Sequence, residues 1–292
     1  MLDTKSLLGA SLDGKSEAWD NPLDVYELHQ STIDSLTNLC AKRFEFEHIL
    51  NVPKVRTATE VRMNLGKAAH KAVEELINND SKIPLGEVLQ NNWNALVEPY
   101  VENSIVGERL SDEYNSDVLA AISWIHNEFD PRFLRSEMPF KIPEIWQLSD
   151  ILKGVDKRWA FAGSMDLASF DEDKMTAKIV DMKFREKQQY ERNKSSSQSS
   201  MYALAAAYHG FEPEFWYVDI IKGNVVEQKI DLNPKKYDWL YTKAAASILM
   251  LESNIYPLNT GGWWCSARWC SFWNSCRGKY EQDDSADSGI GS

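Results

Sequence analysis

Residues 159–184, WAFAGSMDLASFDEDKMTAKIVDMKF, decide the fold. Trp159 to Phe170 and Thr176 to Phe184 alternate or run apolar, and Asp171-Glu172-Asp173-Lys174 between them has the composition of a hairpin turn. Such a hairpin brings Asp166, near the middle of its first strand, beside Asp181 toward the end of its second. Asp181 and Lys183 are two apart and therefore share one face of the sheet. Side-by-side carboxylates repel one another unless a divalent cation joins them, so Asp166 and Asp181 are a candidate Mg or Mn site. The ammonium of Lys183 adds a group that can position a water and balance charge on a scissile phosphate. An isolated Asp-x-Lys is common on solvated strands and decides nothing alone.

Working outward, Gln198 to His209 is alanine-rich and helical, ended by Gly210, with Gln198 and Tyr202 one turn apart on the same side. Phe215 to Lys222 and Val225 to Leu232 read as a strand pair across Gly223-Asn224, followed by a helix over Pro234 to Ser253. Upstream, Thr57-x-x-Glu60 has capping-box spacing before Val61, Leu65, Ala69, Val73 and Leu76, a helix that carries His70. Helices are also expected around Leu85 to Ile105 and Ser111 to Phe129, before Pro131, Pro139 and Pro143 break the pattern, and strands from about Glu144. Ser31 to Leu50 has helical apolar spacing at Ile33, Leu36, Cys40, Phe44 and Ile49, which places Cys40 on a buried face. The expected class is α/β or α+β, a sheet preceded by a helical region.

The only four cysteines are Cys40 and, in WWCSARWCSFWNSC at 263–276, Cys265, Cys270 and Cys276. Four thiolates suit zinc or an iron-sulfur cluster, and their spacing does not choose between them. Two disulfides are the alternative, disfavoured in a reducing cytoplasm. No run of about 18 apolar residues and no basic-then-apolar leader occurs, so a soluble cytoplasmic protein without membrane contact is expected. The net charge of -12 disfavours a broadly basic nucleic-acid surface. Local patches still bind phosphate, and Lys183, Arg185, Lys187, Arg192 and Lys194 are either such a track or a solvated face. Trp263, Trp264, Trp269 and Trp273 either stack on unpaired bases or pack around the thiolate site.

In order, Gly163-x-x-Asp166, Asp181-x-Lys183 and Gln198-x-x-x-Tyr202 resemble the signature of the RecB-type branch of the PD-(D/E)xK nucleases, over Ser31 to about Arg277. The resemblance is strongest to its iron-sulfur members: CRISPR-associated RecB-like exonucleases, AddB-type helicase-nucleases and phage exonucleases. Their pattern also places one cysteine in an N-terminal helix, here STIDSLTNLCAKRFEF at 31–46, and three after the core. Four residues separate Cys265 from Cys270, where many relatives have two.

This resemblance implies a restriction-endonuclease-like α/β core, a mixed central sheet flanked by helices, with an N-terminal helical region and a C-terminal iron-sulfur loop. The expected organisation is a loose arm over 1–30, a helical region over 31–143 with Cys40 and His70, a nuclease core over 144–260, a cluster loop over 261–280 and a disordered tail over 281–292. Asp166, Asp181, His70 and the Met182 backbone carbonyl would hold Mg or Mn, and Lys183 would be the catalytic lysine. Gln198 and Tyr202 would position the lysine loop or DNA, and Glu144 precedes Gly163 as an acidic residue does in relatives. Cys40, Cys265, Cys270 and Cys276 would bind a structural 4Fe-4S cluster, with zinc as the alternative. The implied activity is a DNA exonuclease acting on ends or single strands in the bacterial cytoplasm or a phage-infected host, with a recombination or CRISPR-adaptation partner protein. A zinc-stapled, non-catalytic DNA-binding or recombination-partner protein is the competing expectation.

Overall fold

The computed structural model describes residues 25–55, 60–78, 83–101, 104–143, 158–262 and 264–279. The 159–184 stretch forms the expected hairpin: β3 (Arg158–Asp171) and β4 (Thr176–Phe184) pair antiparallel from Asp171↔Thr176 to Leu167↔Val180. β5 (Glu212–Ile221) lies parallel to β4, and β6 (Asn224–Ile230) returns antiparallel to β5, where Gly223 at φ +75° supplies the turn conformation a side chain disfavours. β1 (Val25–His29) runs parallel to β3, so the sheet reads β1-β3-β4-β5-β6, with β2 (Leu134–Ile142) antiparallel along β3.

Helices cover both faces. On one face α7 (Ser197–Tyr208) and α8 (Pro234–Ser253) bury Met201, Ala205, Leu240, Ala244 and Ile248 against Phe161, Met165, Ile179 and Phe215. On the other, α3 (Glu60–Asn78), α4 (Leu85–Leu96) and α5 (Ser104–Glu128) bury Leu65, Ala69, Val73, Val88, Tyr114 and Val118 against Leu167, Val180, Met182 and Val218. Alternation along β4 thus sends Ala177 and Ile179 to the α7 side and Val180 and Met182 to the α3 side. Asp181 and Lys183 share the parity of Ile179 and face α7.

Three local expectations are corrected. Val25–His29, read as the end of a loose arm, is a strand; its VYELH sequence buries only Leu28, too little apolar alternation to announce itself. The strand region begins at Leu134 rather than near Glu144, because Pro139 does not break β2. Among the described residues β2 pairs with β3 alone, and an edge strand tolerates a missing N–H. The helices expected around Leu85–Ile105 and Ser111–Phe129 are instead α4, a short 3-10 turn at Glu98–Tyr100, and one continuous α5. The capping residue Thr57, the loop acid Glu144, Trp263, the arm over 1–24 and the tail lie outside the described residues.

The segment read as one helix over Ser31–Leu50 is helical in four pieces. α1 (Gln30–Asp34) runs into a π-helical Ser35–Cys40, and α2 (Ala41–Phe44) into a π-helical Glu45–Ile49. The chain is extended at Cys40 itself, at φ -147° and ψ 110°, so the helix breaks at the cysteine. Cys40 is buried as expected, whereas Ile49 is exposed.

Candidate active site

β3 and β4 stop pairing at Leu167↔Val180, and the next residues on each strand are Asp166 and Asp181. β1 occupies the same edge of β3 only up to Ala162, which leaves Gly163–Asp166 unpaired there, at the point where the strands part. The Met182 N–H donates to Asp166 Oδ2 at 3.1 Å, fixing one carboxylate against the backbone beside the other. His70, from α3, approaches from the opposite side, with Nδ1 3.6 Å from Asp166 Oδ2 and the Met182 backbone within hydrogen-bond reach. Phe184 braces the imidazole edge-on at 5.1 Å between ring centres.

Asp181 is fully buried. Gln198 Nε2 donates to its Oδ1 at 2.5 Å and reaches Tyr202 OH at 3.1 Å, so Gln198 and Tyr202 act as one hydrogen-bonded pair, as their helical spacing allows. α7 is started by Ser196, whose hydroxyl accepts from the Gln198 N–H. Asp181 Oδ2 is held 2.5 Å from Lys183 Nζ in a close ion pair. Gly163 has a packing role: a Cβ there would stand 2.9 Å from the Phe140 ring, which packs edge-on against Tyr202 at 5.5 Å. The glycine and the tyrosine of the two sequence motifs are thereby joined through Phe140.

The electrostatics are those of an anionic pocket short of positive charge. Burial pushes both Asp166 and Asp181 up to about 6, against the opposing pull of Lys183. Burial and the charge of Lys183 push His70 down to about 4, which keeps it neutral and able to donate a lone pair. Burial opposes charge on Lys183, yet the two aspartates outweigh it and hold the lysine above its usual range. Tyr202 is driven upward by burial and remains a neutral phenol.

One acid escaped the sequence reading. Glu137 is the β2 residue missing from the ladder opposite Asp166, has a left-handed φ of +46°, and accepts from Ser164 Oγ at 2.9 Å. Its charge reaches Asp166, His70 and Tyr202. The only signal was SEMPF ahead of Gly163, masked by the neighbouring prolines. Conversely, Arg185, expected on either a phosphate track or a solvated face, turns inward to Asp219 Oδ1 at 3.0 Å and Asn193 Oδ1 at 2.9 Å. Asn193 continues to Gln228, so this buried network ties the β4–α7 connection, through α6 (Tyr190–Ser195), to β6. Arg192 and Lys194 bond within their own turn.

The four cysteines, all free, line a single pocket with Lys42, Arg43, Phe46, Trp264, Phe272 and Arg277. N- and C-terminal segments are tied there by Lys42 N–H to Pro257 O at 3.3 Å, Val55 N–H to Ser271 O at 3.0 Å and Asn259 Nδ2 to Leu39 O at 2.7 Å. Burial pushes the Cys270 and Cys276 thiols up, and Cys276 feels each of the other three cysteines. Trp264 and Trp273 line this pocket, and Arg277 lies over the Trp273 ring. Among the described residues no three His, Cys, Asp or Glu side chains already converge as a metal-holding group, at the thiols or at the aspartates.

A family model for the PD-(D/E)XK nuclease superfamily matches residues 30–277. The chain belongs to the PD-(D/E)XK nuclease superfamily. Its mixed sheet flanked by helices is the fold of these nucleases, which act on DNA and use divalent metals such as Mg or Mn. No curated protein matches the chain. Among solved structures, SSO0001 aligns over 94% of this chain and 93% of its own at 13% identity and a TM-score of 0.43. A protein from Eubacterium rectale described as a "Putative exonuclease" aligns over 97% of this chain and 100% of its own, at 10% identity and a TM-score of 0.49. Among the described residues no helix of this nuclease is long and apolar enough to cross a membrane.

Proposed function

We propose that the protein is a RecB-like, metal-dependent exodeoxyribonuclease whose centre is Asp166, Asp181, Lys183 and His70. The observation that carries the reading is the meeting of these four groups, with the Met182 backbone, where β3 and β4 part. The donor chemistry suits a divalent cation: two neighbouring carboxylates and a neutral imidazole beside them. Asp166, Asp181, His70 and the Met182 carbonyl would hold it. Bound there, Mg or Mn supplies Lewis acidity to the phosphoryl oxygen and lowers the pKa of water.

The chain's own residues supply the rest. Lys183, charged and partly open to solvent, orients the attacking water and offsets negative charge building on the phosphate. Gln198 holds Asp181 in one rotamer, and Tyr202 fixes Gln198, so the carboxylate does not reorganise during turnover. Hydrolysis then breaks one P–O ester bond by in-line attack and leaves a phosphate terminus and a hydroxyl terminus.

The second element of the proposal is that Cys40, Cys265, Cys270 and Cys276 hold a structural 4Fe-4S cluster. Four unbridged thiols around one pocket have the right donor chemistry, and Lys42, Arg43 and Arg277 at its wall offset the charge of four thiolates. Its place between the two ends of the chain suits a clasp. Absorbance of protein purified without air decides it: a brown, iron-containing sample is expected, whereas a colourless one with stoichiometric zinc overturns it. Nuclease activity is tested by digesting end-labelled single-stranded, double-stranded and closed circular DNA with Mg or Mn. Mononucleotide release from linear substrates with circles intact is expected; nicking of circles at the same rate removes the exonuclease assignment.

A further inference from the structure

A second pocket adjoins the metal centre on the α3 side of the sheet. It is an open cavity of about 200 Å³ between α3, α5 and the chain leaving β4. It meets the catalytic groups at His70, whose ring packs edge-on, 5.1 Å between centres, against the pocket wall Phe184, while Lys183 lies on the α7 side of β4. Leu65, Ala69, Tyr114 and Phe184 supply apolar surface, while Arg62, Asp117 and Gln189 supply hydrogen-bonding groups. Arg62 spans the walls, 2.5 Å from Glu113 on α5 and 2.7 Å from Glu186 on the β4–α6 chain. The space is kept open by Gly66, where an added Cβ would meet nothing within 4 Å.

The lining carries three cations, Arg62, Arg185 and the exposed Lys187, against three acids, Glu113, Asp117 and Glu186. Arg62 is paired with two glutamates, Arg185 is 3.0 Å from Asp219, and Asp117 accepts from the Gly223 N–H at 2.6 Å. A phosphate finds no concentrated positive charge there. A flat, neutral heterocycle with apolar faces and polar edges does find complementary surface. We propose that this pocket receives one unpaired nucleobase of the strand being cut, next to the scissile phosphate, and so selects DNA whose strand is locally unstacked. The inference rests on the nuclease reading of the adjoining centre.

The test uses Gly66→Leu, which projects a side chain into the pocket from a helix position that gains propensity when glycine is replaced. Its thermal midpoint should equal or exceed the parent's. Cleavage is compared on single-stranded oligonucleotides carrying one abasic site at each of two positions on either side of the cut, and on bis(p-nitrophenyl) phosphate, which has no base. At one position, base removal should lower the parent's kcat/KM at least tenfold. Gly66→Leu should lower kcat/KM on intact DNA by a similar factor, lose nothing further on that abasic DNA, and lose at least tenfold less on the small diester. Abasic sites without effect at every position, losses that multiply in the combination, or an equal loss on the small diester would each overturn the pocket assignment. A parent protein that cleaves neither substrate with metal sinks the nuclease reading itself, and the pocket with it.

Discussion

The catalytic hairpin and the cysteine clasp both gather chemically reactive side chains from distant parts of the chain, but they hold them by different means. Asp166 and Asp181 stand one residue past the end of the β3–β4 ladder, with β4 still paired to β5 at Asp181 and packed helices above and below. Cys40, Cys265, Cys270 and Cys276 stand at a helix break and in short turns, backed by a small cluster of Leu36, Ala41, Phe44 and Tyr256. The sheet therefore fixes the active-site backbone whether or not a ligand is present. The clasp has little core of its own and owes its geometry to what the thiols bind.

The largest break in this comparison comes from Asp181→Ala. Removing the buried ligand should lower DNA cleavage about a thousandfold or more while circular dichroism stays that of the parent, because the sheet does not depend on it. An unfolded variant would show that the hairpin is not self-sufficient. Next, Cys276→Ser should bleach any iron-sulfur absorbance and lower the thermal midpoint by roughly 10 °C. Hydrogen exchange should rise over 30–49 and 256–279 and stay low in β3 and β4. Uniform loss of protection across the sheet would contradict the separation.

How far the two regions were legible follows from the same contrast. Period-2 alternation and turn residues exposed both hairpins, and motif order brought Asp166, Asp181, Lys183, Gln198, Tyr202 and His70 to one place. Glu137 stayed hidden because it lies on β2, where Pro139 inside the strand and Pro131 and Pro143 beside it imitate a loop, and because its left-handed backbone follows no alternation. Arg185 was misread because a charge run does not reveal that Asp219, paired with Lys183 across β5, would draw it inward. The break at Cys40 has no sequence signal, since the apolar spacing continues through it.

Two smaller effects sharpen the account of the hairpin. In metal-free protein Asp166→Asn should be more stable than the parent at pH 8 by about 3 kcal/mol. The raised Asp166 contributes stability present below its unfolded value of 3.8 and lost as pH rises through about 6, so the gap should close toward pH 4. A pH-independent difference would remove the buried-carboxylate explanation. Smaller still, Gly163→Ala should cost about 1 kcal/mol by displacing Phe140 and should loosen Tyr202 and Gln198, lowering kcat more than the melt suggests. Unchanged kcat would uncouple the glycine from the α7 pair.

The most direct measurement is the rate of Mn-dependent cleavage of end-labelled single-stranded DNA by the parent and by Lys183→Ala, at equal occupancy of bound Mn measured by calorimetry. The account predicts that Lys183→Ala still binds Mn through Asp166, Asp181 and His70 yet cleaves at least a hundredfold more slowly. Cleavage by Lys183→Ala at the parent's rate would contradict it.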